Sequence, residues 1–403
     1  MHAVRRWLVA GLMPLVGCAV SQPKVPVGTF LAGDAAAVQA FAQKEVENGA
    51  AENLALVLNV RGQCELLLGD VDAARRTFDQ AGQIMGNWST GSGEATSAIL
   101  GSESSKTWKG DPYERAMNAF YAAYCWLQKG EPDNARAACK KGILADAEVA
   151  DEKFQADNAL LFWLAGRMSK LLASSDAADY WKEAATAHAF ALEHGARGEP
   201  GPAWLVDPGA GNVVLLVECG LGPEKYADGA QDELARFRTR EQDAVGARVR
   251  VGGRDLGAPA IVVDVDYQAR TLGGTAMEGI RKGKAVFKTG AAVAGVVLLD
   301  QAARDRGHSR DAQAIAGGAL LVASLLTSTA ADVRYWPTLP STVQVLTTTL
   351  PPGPHRLEVD FVDAAGRVIP AMRRQLDIEV PTTGESWHLL RSLPSPPAAA
   401  NMP

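Results

Sequence analysis

Cysteines, aromatic residues, long apolar runs and any large excess of one charge are all scarce in this sequence, and each scarcity removes a class of protein. Its five cysteines, at positions 18, 64, 125, 139 and 219, have neither zinc-ribbon nor redox-motif spacing. Three of the four beyond Cys18 fall at apolar positions of expected helices, so packed free thiols are expected at Cys64, Cys125, Cys139 and Cys219. The runs GAAVAGVVLL and AIAGGALLVASLL are ten and thirteen residues long, short of the roughly 20 that span a bilayer. A formal charge of −6, with no basic tract, argues against a sequence-independent grip on nucleic acid. No Gly-x-Ser-x-Gly, His-Glu-x-x-His or acidic calcium loop occurs. His188 and His194 are on different faces of a helix, and His308, His355 and His388 are isolated, so surface or satisfied histidines are expected. The run GSESSKT at 101–107 imitates a phosphate loop in composition only. Ser105 stands where a second Gly must let the backbone approach a phosphate, and Glu103 adds a like charge. No catalytic residue, cofactor or metal is therefore expected.

What the chain does have is size, with 403 residues that are 47% hydrophobic, which exceeds one core and implies two folded units. At the N-terminus Arg5 and Arg6 precede a short apolar segment, and Leu15-Val16-Gly17-Cys18 follows. This run resembles a bacterial lipoprotein leader, which is cut before a Cys that then carries the acyl chains. The resemblance implies lipidation at Cys18, and several acyl chains together would anchor the protein stably. Ala19, in place of the Asp that retains many such proteins at the inner membrane, implies the periplasmic face of the outer membrane.

From residue 34 to 197 the pattern is helical. Gly62, Gly69, Ala74, Phe78 and Ala81 recur 61 residues later as Ala123, Gly130, Ala135, Cys139 and Gly142. Small residues at these intervals let two antiparallel helices approach while a Gly makes the turn. The arrangement resembles a tetratricopeptide repeat, its usual period stretched by an insertion at 86–110. A third copy is expected at 154–194, with Ala177, Trp181 and Ala184 on its second helix and Leu172 at the turn. Asp111, Pro112 and Glu114 form a helix-start signature: a capping box with Pro at the first helical position.

A Gly/Pro-rich linker at 198–211 separates this unit from strands of period two at 213–218, 249–251, 261–267, 343–349, 357–361 and 376–380. A small β-sandwich or curved antiparallel sheet accounts for them. A Gly/Ala-rich helical hairpin at about 273–331 interrupts the strands, with Gly290, Gly295, Gly317 and Gly318 allowing close packing. Asp264 and Asp266 share one face of an expected strand, which suits a cation or, more commonly, solvent. The full organisation is thus a leader at 1–17, a tether at 18–33, a helical domain at 34–197, the linker, a β-rich domain at 212–391 and a disordered tail at 392–403. The fold class is α+β, multidomain.

Three stretches carry a wider resemblance: 101–130; 214–225, ending Glu-Cys-Gly-Leu-Gly-Pro-Glu-Lys; and 331–340, Ala-Asp-Val-Arg-Tyr-Trp-Pro-Thr-Leu-Pro, followed by a strand and Leu350-Pro351-Pro352-Gly353. Together they resemble a family of largely uncharacterised bacterial lipoproteins with tetratricopeptide-like helices, often encoded beside lipoproteins similar to activators of penicillin-binding proteins. Trp108 and Trp336 stand at variable aromatic positions of that family. The resemblance implies a non-catalytic, lipid-anchored scaffold in cell-wall synthesis or envelope assembly. Its expected partners are envelope proteins, another lipoprotein among them, with oligomers allowed. Two alternatives are an oligomeric, pore-like assembly through the Gly-rich hairpin and an envelope glycan or peptide hydrolase.

Overall fold

The computed structural model describes residues 21–86, 107–146, 158–229, 234–272 and 331–394. Cys18, His308, the hairpin glycines Gly290, Gly295, Gly317 and Gly318, and most of the 86–110 insertion lie outside the described residues. The chain is mixed α and β, helical in its first half and sheet-rich in its second. No described helix is long and apolar enough to cross a membrane.

After α1 (Val27–Leu31) and α2 (Ala35–Asn48), three helix pairs follow: α3 (Leu54–Leu67) with α4 (Val71–Gly86), α5 (Pro112–Gln128) with α6 (Pro132–Asp146), and α7 (Ala159–Leu171) with α8 (Ala177–Glu193). Each pair turns in the same way. The amide of Asp70 donates to the Glu65 carbonyl at 2.9 Å, Glu131 to Trp126 at 3.0 Å, and Ser174 to Ser169 at 2.8 Å, the bond that closes a Schellman turn. That turn needs a left-handed residue, supplied by Gly69 (φ +83°) and Gly130 (φ +73°). In the third pair the left-handed residue is Ala173 (φ +52°), one position beyond the expected Leu172. Close approach within a pair also depends on missing side chains. A methyl group on Gly62 would sit 2.8 Å from the Phe78 ring, and one on Gly166 would sit 2.3 Å from the Trp181 indole. Ala74, Ala81, Ala123, Ala135 and Cys139 are fully buried along the same pairs.

The first helix of each pair is buried on nearly every side and the second is amphipathic, so α3, α5 and α7 form an inner layer and α4, α6 and α8 an outer one. The inner layer rests on a mixed four-stranded sheet of order β10-β1-β7-β6, formed by β1 (Val213–Cys219), β6 (Ala260–Asp264), β7 (Thr342–Thr348) and β10 (Ser386–Arg391). Behind it lies an antiparallel sheet of order β5-β4-β8-β9, from β4 (Gly246–Val251), β5 (Arg254–Gly257), β8 (Gly353–Val362) and β9 (Arg374–Val380). A short ribbon, β2 (Glu224–Asp228) with β3 (Leu234–Arg238), completes the described strands. Strand β1 shows why its sequence, VVLLVEC, is a continuous apolar run rather than an alternating one. Val214 and Leu216 join the core shared with the helices, while Val213, Leu215 and Val217 join the core between the two sheets.

Several expectations require correction. The sheet is not purely antiparallel, because β10 pairs with β1 in parallel; a two-residue period marks a strand but says nothing of its partner's direction. The strand expected at 261–267 ends at Asp264, whose carboxylate accepts from the Tyr267 amide at 3.2 Å and starts α10 (Val265–Leu272). The linker contains α9 (Ala203–Val206), and its Trp204 is buried against Trp163. The tether is packed from Gln22 onward: Gln22 bonds Tyr335 through both ends of its amide, and Phe30 is buried. The expected tail is packed as far as Pro394, with Leu393 buried and both of their carbonyls accepting from Arg374.

Candidate functional site

Residues 107–130, 214–225 and 331–340, the described parts of three marker stretches, lie far apart in sequence and meet in one buried polar seam between the helices and the sheet. At the start of α5, Pro112 occupies the first turn and Asp111 with Glu114 forms the reciprocal capping box. Glu114 is fully buried and also accepts the backbone N–H of Trp336 at 2.6 Å, while Lys225 reaches Asp111 at 2.7 Å. Burial, with Asp111 nearby, pushes the Glu114 carboxyl up to about 8, against the opposing pull of Lys225 and the two amides. Trp108 donates to the Arg334 carbonyl at 3.3 Å and its amide to the Glu52 carbonyl at 2.7 Å. Arg334 in turn reaches Asn53 at 3.1 Å. Each stretch thus holds another in place.

Deeper in the seam, Glu218 is the one charged residue in the apolar strand β1. Tyr121 of α5 donates to it at 2.5 Å, Arg391 of β10 pairs with it at 3.4 Å, and Gln63 of α3 donates to the Tyr121 hydroxyl at 2.7 Å. Trp336 and Thr338 donate to the other end of Gln63 at 2.8 and 2.5 Å. Burial raises the Glu218 carboxyl, with Arg391 opposing, and burial together with Glu218 holds the Tyr121 phenol protonated well above its ordinary range. Removing one partner of such a sealed pair typically costs about 3–5 kcal/mol, because the other charge is left uncompensated.

Above this network lies a cavity of about 630 Å³. Its walls come from α1, the start of α2, the end of α3, and Leu389 to Pro394, and Tyr121, Glu218, Gln63 and Arg391 lie at its base. A second, open groove of about 320 Å³ runs between α4, α5 and α6. Phe78, Ala119 and Ala122 line it, and Gln83, Asn118, Asn134 and Lys141 supply amide and ammonium groups. Lys141 donates to the Gly82 carbonyl at 2.8 Å, and burial lowers its pKa. Arg75 pairs with Asp79 at 2.9 Å and lies 4.5 Å over the Trp126 ring at the groove's edge.

The remaining sequence candidates are placed elsewhere. Asp264 and Asp266 are buried rather than solvated, and the Arg197 guanidinium bonds both, at 2.6 and 2.8 Å. An arginine therefore sits where a cation was considered. The four cysteines are free, buried and pushed up to about 12 by burial. His188 contacts the Glu199 carbonyl at 2.9 Å and packs on Trp204, and His388 contacts Ser386 at 2.7 Å. Sequence reasoning missed Gln63, Glu218, Arg391 and the fully buried Arg167, which pairs with Glu385 at 2.6 Å. A lone acid inside VVLLVEC was the available signal for Glu218, since a charge in such a run needs a buried partner. No protein-family model and no curated protein sequence matches this chain.

Proposed function

We propose that this chain is a lipid-anchored, non-catalytic scaffold of the bacterial envelope, held by Cys18 at the periplasmic face of the outer membrane, that binds envelope proteins along its tetratricopeptide-like helix pairs. The groove between α4, α5 and α6 carries this reading. An apolar floor flanked by the amides of Gln83 and Asn134 suits a polypeptide segment, whose backbone presents alternating donors and acceptors and whose apolar side chains need cover. The chemical role of Cys18 and the place in cell-wall synthesis or envelope assembly rest on the sequence resemblances.

Two measurements test the reading. Metabolic labelling with an alkynyl fatty acid should mark the wild-type chain and leave Cys18→Ala unmarked; equal labelling removes the anchor. A photo-crosslinking residue at the exposed Gln83 or Asn134 should capture a discrete envelope protein in intact cells. Capture from these positions that matches a control position on β9 would remove the groove as the partner site.

A further inference from the structure

The cavity at the end of α3 changes character between its floor and its mouth. At the floor, Tyr121, Glu218 and Arg391 are buried and bonded to one another, so they define a closed end. The mouth is open and mixes apolar with charged groups: Leu67 and Leu68 on its rim are 40% and 49% exposed, and Asp34, which caps α2, and Arg374 also line it. Single exposed leucines are ordinary on a protein surface, but two adjacent ones on the rim of one cavity make an apolar edge. The two arginines lining the cavity also differ. Arg391 is buried and bonded to Glu218, and Arg374 is half-buried, with its Nη2 bonded to the carbonyls of Leu393 and Pro394 and part of its side chain in contact with solvent. The volume, about 630 Å³, is that of a small-molecule site.

We propose that this cavity binds the acyl chain of a single-chain anionic amphiphile, such as a fatty acid or a lysophospholipid, with the tail between α1, α3 and β10 and the headgroup at Arg374. This inference is independent of the adaptor reading and of the lipid on Cys18, because it uses a different surface and no acyl chain of the protein's own.

The test titrates the purified full chain carrying Cys18→Ala with cis-parinaric acid, whose fluorescence rises in apolar surroundings. Saturable binding is expected. Leu68→Glu, at an exposed position, should weaken it at least tenfold while leaving the thermal melt unchanged. Arg374→Gln should weaken binding of the fatty acid about tenfold and that of the matching fatty alcohol little, which separates headgroup from tail. Competition by lysophosphatidylglycerol identifies a phospholipid source, and competition by palmitate alone identifies a free acid. Absence of saturable binding, undiminished binding by Leu68→Glu, or displacement by an apolar peptide but by neither lipid would overturn the proposal.

Discussion

Ala173 carries a left-handed backbone at a turn where the other two helix pairs use Gly69 and Gly130. An L-residue with a Cβ pays about 1–2 kcal/mol for that conformation, part of which Gly loses again through its freer unfolded chain. Ala173→Gly should therefore raise stability by about 0.5–1 kcal/mol, and Gly69→Ala should lower it by about 1 kcal/mol, as read from denaturant midpoints. An unchanged or lower midpoint for Ala173→Gly would count against the turn assignment. His388 offers a second residue-scale test, since burial lowers its pKa from 6.5 to about 4. The folded state holds the neutral ring, so its contribution is present above pH 6.5 and is lost as the pH falls toward 4. His388→Leu should flatten the stability profile between pH 6.5 and 4, measured by chemical denaturation across that range. The sequence showed His388 as isolated; its burial could not be read there, because it depends on the second sheet closing over β10.

At the scale of elements, β10 illustrates how the helices complete the sheet. It is an edge strand, and an open edge invites pairing with another chain. Helix α5 blocks it: the Tyr124 hydroxyl accepts from the Leu389 amide at 3.1 Å, and Gln128 donates to the Trp387 carbonyl at 2.7 Å. Tyr124→Phe should cost about 1 kcal/mol, the usual size of one such bond, and should speed hydrogen exchange at the Leu389 amide. Exchange there that stays at the wild-type rate would show the edge is protected by something else. The elements themselves were partly legible. The 61-residue offset placed Gly69 and Gly130 at matching turns, and Asp111-Pro112 marked the start of α5, because caps and turns are set by a few neighbouring residues. Strands β10 and β9 differ instructively: β9 alternates along one half-buried face, whereas SWHLLR in β10 does not alternate, since helices cover one of its faces and a second sheet the other.

At the scale of the molecule, the helices and the β10-β1-β7-β6 sheet share one core, in which Phe78 and Leu161 belong to the same cluster as Val214, Val343 and Trp387, and a second core lies between the two sheets. The seam ties the two halves together through bonds that cross between them: Tyr121 to Glu218, Trp336 to Gln63, the Trp336 amide to Glu114, and Lys225 to Asp111. The chain should accordingly unfold in a single transition, with helix circular dichroism and tryptophan fluorescence coinciding. Residues 34–197 expressed alone should lack a cooperative melt, because Glu114 and Tyr121 would lose their partners and the inner helices their cover. Two separated transitions, or a stable isolated helical half, would contradict this.

The boundary drawn in the sequence at 198–211 is a genuine change of pattern, from a period near 3.6 to a period of two, and local backbone geometry dictates that much. What the sequence determined by itself was therefore the kind of each long element, the turns that glycines permit and the capped start of α5. The tertiary structure decided the direction of β10, the packing of the tether and linker, and the meeting of the three marker stretches. The physical reason is range: caps, turns and periodicity are settled within a few residues, whereas a buried charge such as Glu218 is stable only beside Arg391, 173 residues away.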